Sequence, residues 1–197
     1  MDFTDLRILK TQERLQNALL ELLKTKELKA ITVKEICDMA HISRNAFYQH
    51  YGYKEDLFDQ MVASATETIR ESLNPLTSHV SLVEAETFTS YAEKIIEGID
   101  EVKELIYVML KGDDGKFLIQ LSDLIFGQLI GNALPFFDVE DSSELRLFYE
   151  FLSAGMAAFI IRWVLEDDIS RDTAVSLLAG ILLQISTKIP NKQGKLA

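Results

Sequence analysis

A chain of 197 residues that is 48 % hydrophobic, with a mean hydropathy of +0.07, can bury a sizeable core, which excludes a disordered or fibrous class. The single cysteine, Cys37, permits no internal disulfide, the N-terminus is charged from its second residue, unlike a signal peptide, and the longest apolar runs, 152–161 and 177–183, fall short of the roughly 18 residues of a membrane span. The net charge of −11 does not exclude nucleic acid, because residues 1–54 hold nine Lys/Arg against seven Asp/Glu while residues 55–197 carry −13, and screening confines charge interactions to about 10 Å at 0.1 M salt.

In chain order, the apolar spacing predicts a first helix over 5–26, or from Thr11, burying Leu15, Ala18, Leu19, Leu22 and Leu23. Residues 28–31 link it to a second. There Thr32 and Glu35 form a T-x-x-E capping box, in which the threonine oxygen takes one orphan N–H and the glutamate reaches back. Val33, Ile36, Cys37 and Ala40 then recur at helical spacing, and Cys37 reads as a small core residue. His41-Ile42 interrupts, and Ser43 caps a short helix from 43 to about 51. Two helices joined by about three residues, the second dense in Arg, Asn, Tyr, Gln and His, form the arrangement that lays a recognition helix in a DNA major groove.

These residues resemble a family. Thr32-Val33-Lys34-Glu35-Ile36, Ala40-His41-Ile42-Ser43, Phe47-Tyr48-Gln49-His50-Tyr51 and Lys54-Glu55-Asp56-Leu57 fall where the tetracycline-repressor (TetR) family has its DNA-binding signature, roughly T-V-x-x-I-x-x-x-A-G-V-S-x-x-T-F/Y-Y-x-H-F-x-x-K-E-x-L. The resemblance covers about residues 5–60. It departs from the pattern at His41, which replaces the turn glycine and must take a positive φ. Asn45-Ala46 replaces a small or proline residue plus threonine, and Gly52-Tyr53 occupies the bend before the next helix.

Chemistry assigns roles within the recognition helix. Arg44 and Asn45 lie in the first turn, which reaches base edges; arginine pairs bidentately with guanine, and Asn45 or Gln49 with adenine. The resemblance implies that Tyr48 and His50 contact phosphate or a base. Lys54 opens the next helix, where its charge and the helix N–H groups are expected to hold a phosphate. Thr32 and Lys34 are placed to touch the backbone of the other strand, and Val33 and Ser43 complete the expected DNA-binding set. Phe47 and Tyr51 read as core.

A fourth helix is expected over 53–73, with Leu57, Phe58, Met61, Ala65, Ile69 and Leu73 on one side and Asn74-Pro75 ending it. Residues 77–82, containing His79, read as linker. Helical segments follow over 84–99, 101–111 and 116–134, the last stopped by Pro135. Asp113-Asp114 reads as a solvated turn, since its spacing matches no calcium loop. Asp141 and Glu144 form a D-x-x-E start for a long helix to about 166, and Ser170 begins the last one. The fold class is therefore all-α: a three-helix helix-turn-helix head (1–53), a connecting helix (54–76) and a helical-bundle body (77–197).

The last two helices are unusually apolar. Leu152, Gly155, Met156, Phe159, Ile160 and Trp163 on one, with Leu177, Leu178, Ile181, Leu182 and Ile185 on the other, are expected to form a dimer interface, as the resemblance implies. Phe88, Tyr91, Tyr107, Phe117, Phe126, Phe148 and Phe151 are the aromatic candidates for an effector cavity, because the family senses small molecules in this part.

A cytoplasmic, homodimeric transcriptional regulator is expected. Its partners are a near-palindromic double-stranded DNA operator and an unidentified small-molecule effector, with no membrane, cofactor or metal. Repression is the default. Activation, or a body that binds a protein in place of an inducer, stays open. Three histidines (His41, His50, His79) and one cysteine supply no catalytic triad, metal set or phosphate-binding glycine loop, so no enzyme is expected.

Overall fold

The computed structural model describes residues 3–74, 85–111, 116–137, 142–166 and 168–186. Among them all regular structure is helical: α1 (Phe3–Leu23), a 3-10 turn (Leu28–Ala30), α2 (Val33–Ala40), α3 (Arg44–Tyr48), α4 (Lys54–Ser72), α5 (Ala85–Leu110), α6 (Lys116–Phe137), α7 (Ser143–Leu165) and α8 (Arg171–Ser186). The linker expected at 77–82 with His79, the Asp113-Asp114 turn and Asp141 lie outside the described residues.

The chain forms two compact units. One comprises Met1–Thr66 with Glu104–Gly112, the other Glu67–Lys103 with Asp113–Ala197. Both α4 and α5 contribute residues to each. In the first unit, Leu15, Ala18, Leu19, Leu22 and Leu23 are buried as the periodicity of α1 predicts, together with Ile36, Cys37, Ala40, Phe47, Tyr51 and Leu57. α1 packs on α2, and α2 on α3. Burial pushes the Cys37 thiol up, which keeps it a neutral core group. Lys24 bridges Glu21 (2.7 Å) and Glu104 (3.0 Å), tying the end of α1 to α5.

In the second unit α6 packs along α7. Ile95, Ile96 and Ile99 of α5 are fully buried, as are Leu121 and Ile125 of α6, Tyr149 and Ile160 of α7 and Leu178 of α8, to within about 2 %. Gly98 is required here. A Cβ at that position would stand 2.5 Å from the Cβ of Ser72, so α4 and α5 approach to a distance only glycine allows. Two turns earlier on α5, the Tyr91 hydroxyl donates to the Leu73 carbonyl at the end of α4 (3.1 Å). Trp163 is buried, donates its indole N–H to the Ile169 carbonyl (3.2 Å) and carries the Lys103 ammonium 4.9 Å from its ring centre.

Outside the helix-turn-helix, three elements differ from expectation. The segments predicted over 84–99 and 101–111 are one helix, α5: Asp100-Glu101 is no breaker, and the buried stripe continues through Leu105 and Ile106. α6 runs past Pro135 and ends two residues later, at Phe137. α7 is capped by Ser142, whose oxygen accepts from the Leu145 N–H (3.2 Å), one residue after the expected Asp141. Although its longest uninterrupted apolar run is short, α7 is also long and apolar enough to cross a membrane by length and composition alone, with a mean hydropathy of 1.4 over its most apolar 18 residues. Its apolar content divides between two faces. Leu145, Tyr149, Leu152, Met156, Ile160 and Trp163 are buried in the unit, while Leu147, Phe151, Ala154, Gly155 and Ala158 are exposed.

Candidate nucleic-acid interface

The interface is built on two capped helix starts. At α2 both halves of the capping box are present: the Thr32 hydroxyl accepts from the Glu35 N–H (3.2 Å), and the Glu35 carboxylate accepts from the Thr32 N–H (2.8 Å) and hydroxyl (2.8 Å). Lys26 reaches the other carboxylate oxygen at 2.5 Å. The Lys26 ammonium, then the two Thr32 donors, hold the Glu35 carboxyl down to about 2. The turn after α2 is made by His41 in the left-handed region, φ 54°, ψ 46°, where the resemblance expects glycine. The Arg14 guanidinium donates to its carbonyl at 3.5 Å, a tie from α1 that spacing alone does not reveal.

At α3 the Ser43 hydroxyl accepts from the Ala46 N–H (3.1 Å). Phe47 is fully buried and Tyr51 is 6 % exposed, so the polar residues between and before them are turned outward. The helix is shorter than the expected 43–51. The N–H groups of His50 and Tyr51 both donate to the Phe47 carbonyl (2.9 Å each), closing it as a turn. The Tyr51 hydroxyl fixes that turn to α4 by donating to Gln60 (2.5 Å). Lys34, Arg44, Asn45 and Gln49 are exposed, and among the described residues none of their side chains has a hydrogen-bond or ion-pair partner. Tyr48 is 51 % exposed; Val33 and His50 are half-buried.

Lys54 is held within the chain. It opens α4 as expected, but its ammonium donates to the carbonyls of Ile31 (2.6 Å) and Lys29 (3.2 Å), and its side chain is only 16 % exposed. The N–H groups of Gly52 and Tyr53 are taken by Asp56 (3.0 and 2.9 Å). The helix start is thus satisfied from within, and Lys54 anchors it to the segment before α2. Two of the three ammonium N–H donors are thereby used within the chain.

The aromatic candidates differ in burial. Phe88, Tyr91 and Phe117 are buried, Phe126 and Phe148 half-buried, and Phe151 is 78 % exposed. Tyr107 belongs to the first unit, where Lys111 lies over its ring. A groove of about 550 Å³ in the second unit is lined instead by polar and small residues of α5 and α8, among them Glu93, Glu97, Arg171, Asp172, Ala179 and Gly180. The expected dimer residues also divide. Leu152, Met156, Ile160, Trp163, Leu178 and Leu182 are buried in their own chain, Phe159 and Ile185 are half-buried, and Gly155, Leu177 and Ile181 are exposed. The six buried side chains face inward because α7 and α8 also supply this unit's core.

Residues 16–61 match the tetR family of bacterial regulatory proteins. Over 168 residues the chain is 38 % identical to an uncharacterised HTH-type transcriptional regulator, YxbF, of Bacillus subtilis (strain 168); the match covers 84 % of this chain and 42 % of that protein. The chain therefore spans less than half the length of that relative. Among solved structures it resembles the dihydroxyacetone kinase operon activator DhaS (TM-score 0.58, 19 % identity, 89 % of this chain and 95 % of that one). It also resembles a TetR transcriptional regulator from Streptococcus agalactiae 2603V (TM-score 0.55, 20 % identity, 91 % and 97 %). At these identities the two structures speak for the fold.

Proposed function

We propose that this chain, which belongs to the tetR family of bacterial regulatory proteins through its helix-turn-helix head, is a cytoplasmic repressor that binds a near-palindromic operator as a homodimer and is released by a small molecule. The observation that carries the reading is the group of exposed, partner-free side chains Arg44, Asn45 and Gln49, presented with Lys34 from capped helices whose inner faces are buried. Rigid support beneath free polar donors is what sequence reading in a major groove needs.

The functional division we assign is head (1–53), connecting helix (54–76) and body (77–197). Two copies related by a two-fold axis would place their recognition helices about one helical turn of DNA apart, or a multiple of it. The body would hold the effector, and the α5–α8 groove has the volume of a small-molecule site. Release requires that the effector bind the two states of the dimer with different affinity. A dimer lying over a promoter blocks polymerase; the same dimer upstream of one would activate, and the position of the selected site decides between them.

The test is selection of bound sequences from a random duplex pool. Enrichment of a palindrome supports the reading and supplies the half-site spacing. Binding that enriches nothing and vanishes at moderate salt would sink it. With the selected site in hand, Arg44→Ala or Gln49→Ala is expected to relax base preference by roughly 1–3 kcal/mol per lost pair.

A further inference from the structure

α5 belongs to both units. Its residues 85–103 group with the second and 104–110 with the first, and each part is anchored in its own unit. In the second, Ile95, Ile96 and Ile99 are fully buried, Gly98 stands against Ser72 of α4, and the Tyr91 hydroxyl donates to the Leu73 carbonyl. In the first, Leu105, Ile106 and Val108 are buried, Glu104 pairs with Lys24 at 3.0 Å, and the Lys111 ammonium donates to the Lys24 carbonyl at 3.2 Å. Between these anchorages Asp100 and Glu101 are exposed, and among the described residues neither side chain has a hydrogen-bond or ion-pair partner. What carries α5 from one anchorage to the other is its unbroken helical backbone.

We propose that the continuity of α5 through Asp100 and Glu101 is a conformational device: α5 is a second strut in addition to α4, and its stiffness sets how sharply the protein discriminates the spacing of two operator half-sites. The inference rests on the dimeric DNA-binding reading above. A single connecting helix can bend and swivel, whereas two helices that each contribute to both units resist this, because neither turns without shearing packed side chains. Residues 99–104 read Ile-Asp-Glu-Val-Lys-Glu, with no glycine or proline to break the rod. The apolar stripe Ile95, Ile99, Val102 and Ile106 keeps its helical phase across the crossing. In a dimer joined through its bodies, the freedom of each head decides which spacings both can reach. One extra base pair moves a half-site by about 3.4 Å and turns it by about 35°, a change that loosely held heads follow and stiffly held heads do not.

The measurement is binding of the full chain to its selected duplex and to one whose half-sites lie one base pair farther apart. It compares the wild type with the double variants Asp100→Gly/Glu101→Gly and Asp100→Ala/Glu101→Ala. Both variants lose the same two charges, but glycine loosens an exposed helix interior and alanine strengthens it. The wild type and the alanine variant are expected to bind the shifted duplex about tenfold or more weakly, the glycine variant about threefold or less, with the same bases preferred in each half-site. Glu101→Gly alone, the milder break, should fall between them and carries the test if circular dichroism finds the double glycine variant unfolded. Folded glycine variants that discriminate spacing as sharply as the wild type overturn the proposal, and so does an alanine variant that relaxes with them; the DNA-binding reading survives both results. A wild type that binds the two spacings equally overturns the proposal and removes the dimer from that reading. If the wild type selects no duplex at all, the DNA-binding reading and the proposal fall together.

Discussion

At the scale of the residue, Lys54 shows how a side chain placed by sequence can carry a structural task that sequence does not reveal. Its ammonium bonds two carbonyls of the segment before α2. Lys54→Met is expected to destabilise the protein by about 1–3 kcal/mol, since two acceptors lose a charged donor, while the salt slope of DNA binding stays as in the wild type; urea unfolding and a salt titration check the two halves. Glu35 makes a pH-dependent contribution of defined sign. Its carboxyl is held at about 2 in the folded chain, below the ordinary glutamate value near 4.3. The stabilisation is therefore complete above the ordinary value and fades as pH falls toward 2. The stability gap between wild type and Glu35→Gln should be present at pH 6 and close progressively between about pH 5 and pH 2. A constant gap over that window would contradict the assignment.

At the scale of the element, the caps were legible because they depend on side chains within three residues of one another. Thr32 with Glu35 and Ser43 with Ala46 are bonded as the local sequence dictates. The buried stripes of α1 and α4 follow their periodicity for the same local reason. The length of α5 was not legible, because Asp100-Glu101 resembles an interruption until the stripe on either side is found to be buried in register. Gly98 was equally hidden, since its reason lies on another helix. There Gly98→Ala is expected to destabilise by about 1–3 kcal/mol through overpacking against Ser72, although alanine favours a helix by up to about 1 kcal/mol over glycine. Ser72→Gly should recover much of the loss in the double variant, because it removes the atom that clashes; additive unfolding free energies would show that the two positions do not meet.

At the scale of the whole molecule, α7 and α8 are apolar nearly all round, so no periodicity separates the inward face from the outward one. That is why Leu152, expected on an interface, is buried in its own chain at 6 % exposed, while its neighbour Phe151, expected in a cavity, is 78 % exposed. Leu147, Phe151, Ala154 and Ala158 recur every three or four residues along the exposed face of α7, and Leu177 and Ile181 stand out from α8. A Cβ added at Gly155 or Gly180 would meet nothing within 4 Å in its own chain, so both positions are open to the approach of another helix. We assign this face to the second copy. Phe151→Glu is expected to convert the proposed dimer to monomer and to lower operator affinity at least tenfold, while Ile119→Glu, 63 % exposed on α6, leaves the mass unchanged; sedimentation at micromolar concentration distinguishes them. Equal masses for wild type and Phe151→Glu would remove this face from the interface.

Trp163 gives the molecule a built-in optical reporter. It is the only tryptophan in the sequence, and its indole is buried in the second unit, hydrogen-bonded to Ile169 and 4.9 Å from the Lys103 ammonium. Emission excited selectively at the indole therefore comes from that unit alone, and the six tyrosines stay dark. A positive charge beside an indole shifts its spectrum according to which side of the ring it occupies, so a change in the α5–α7 packing should register as a change of colour.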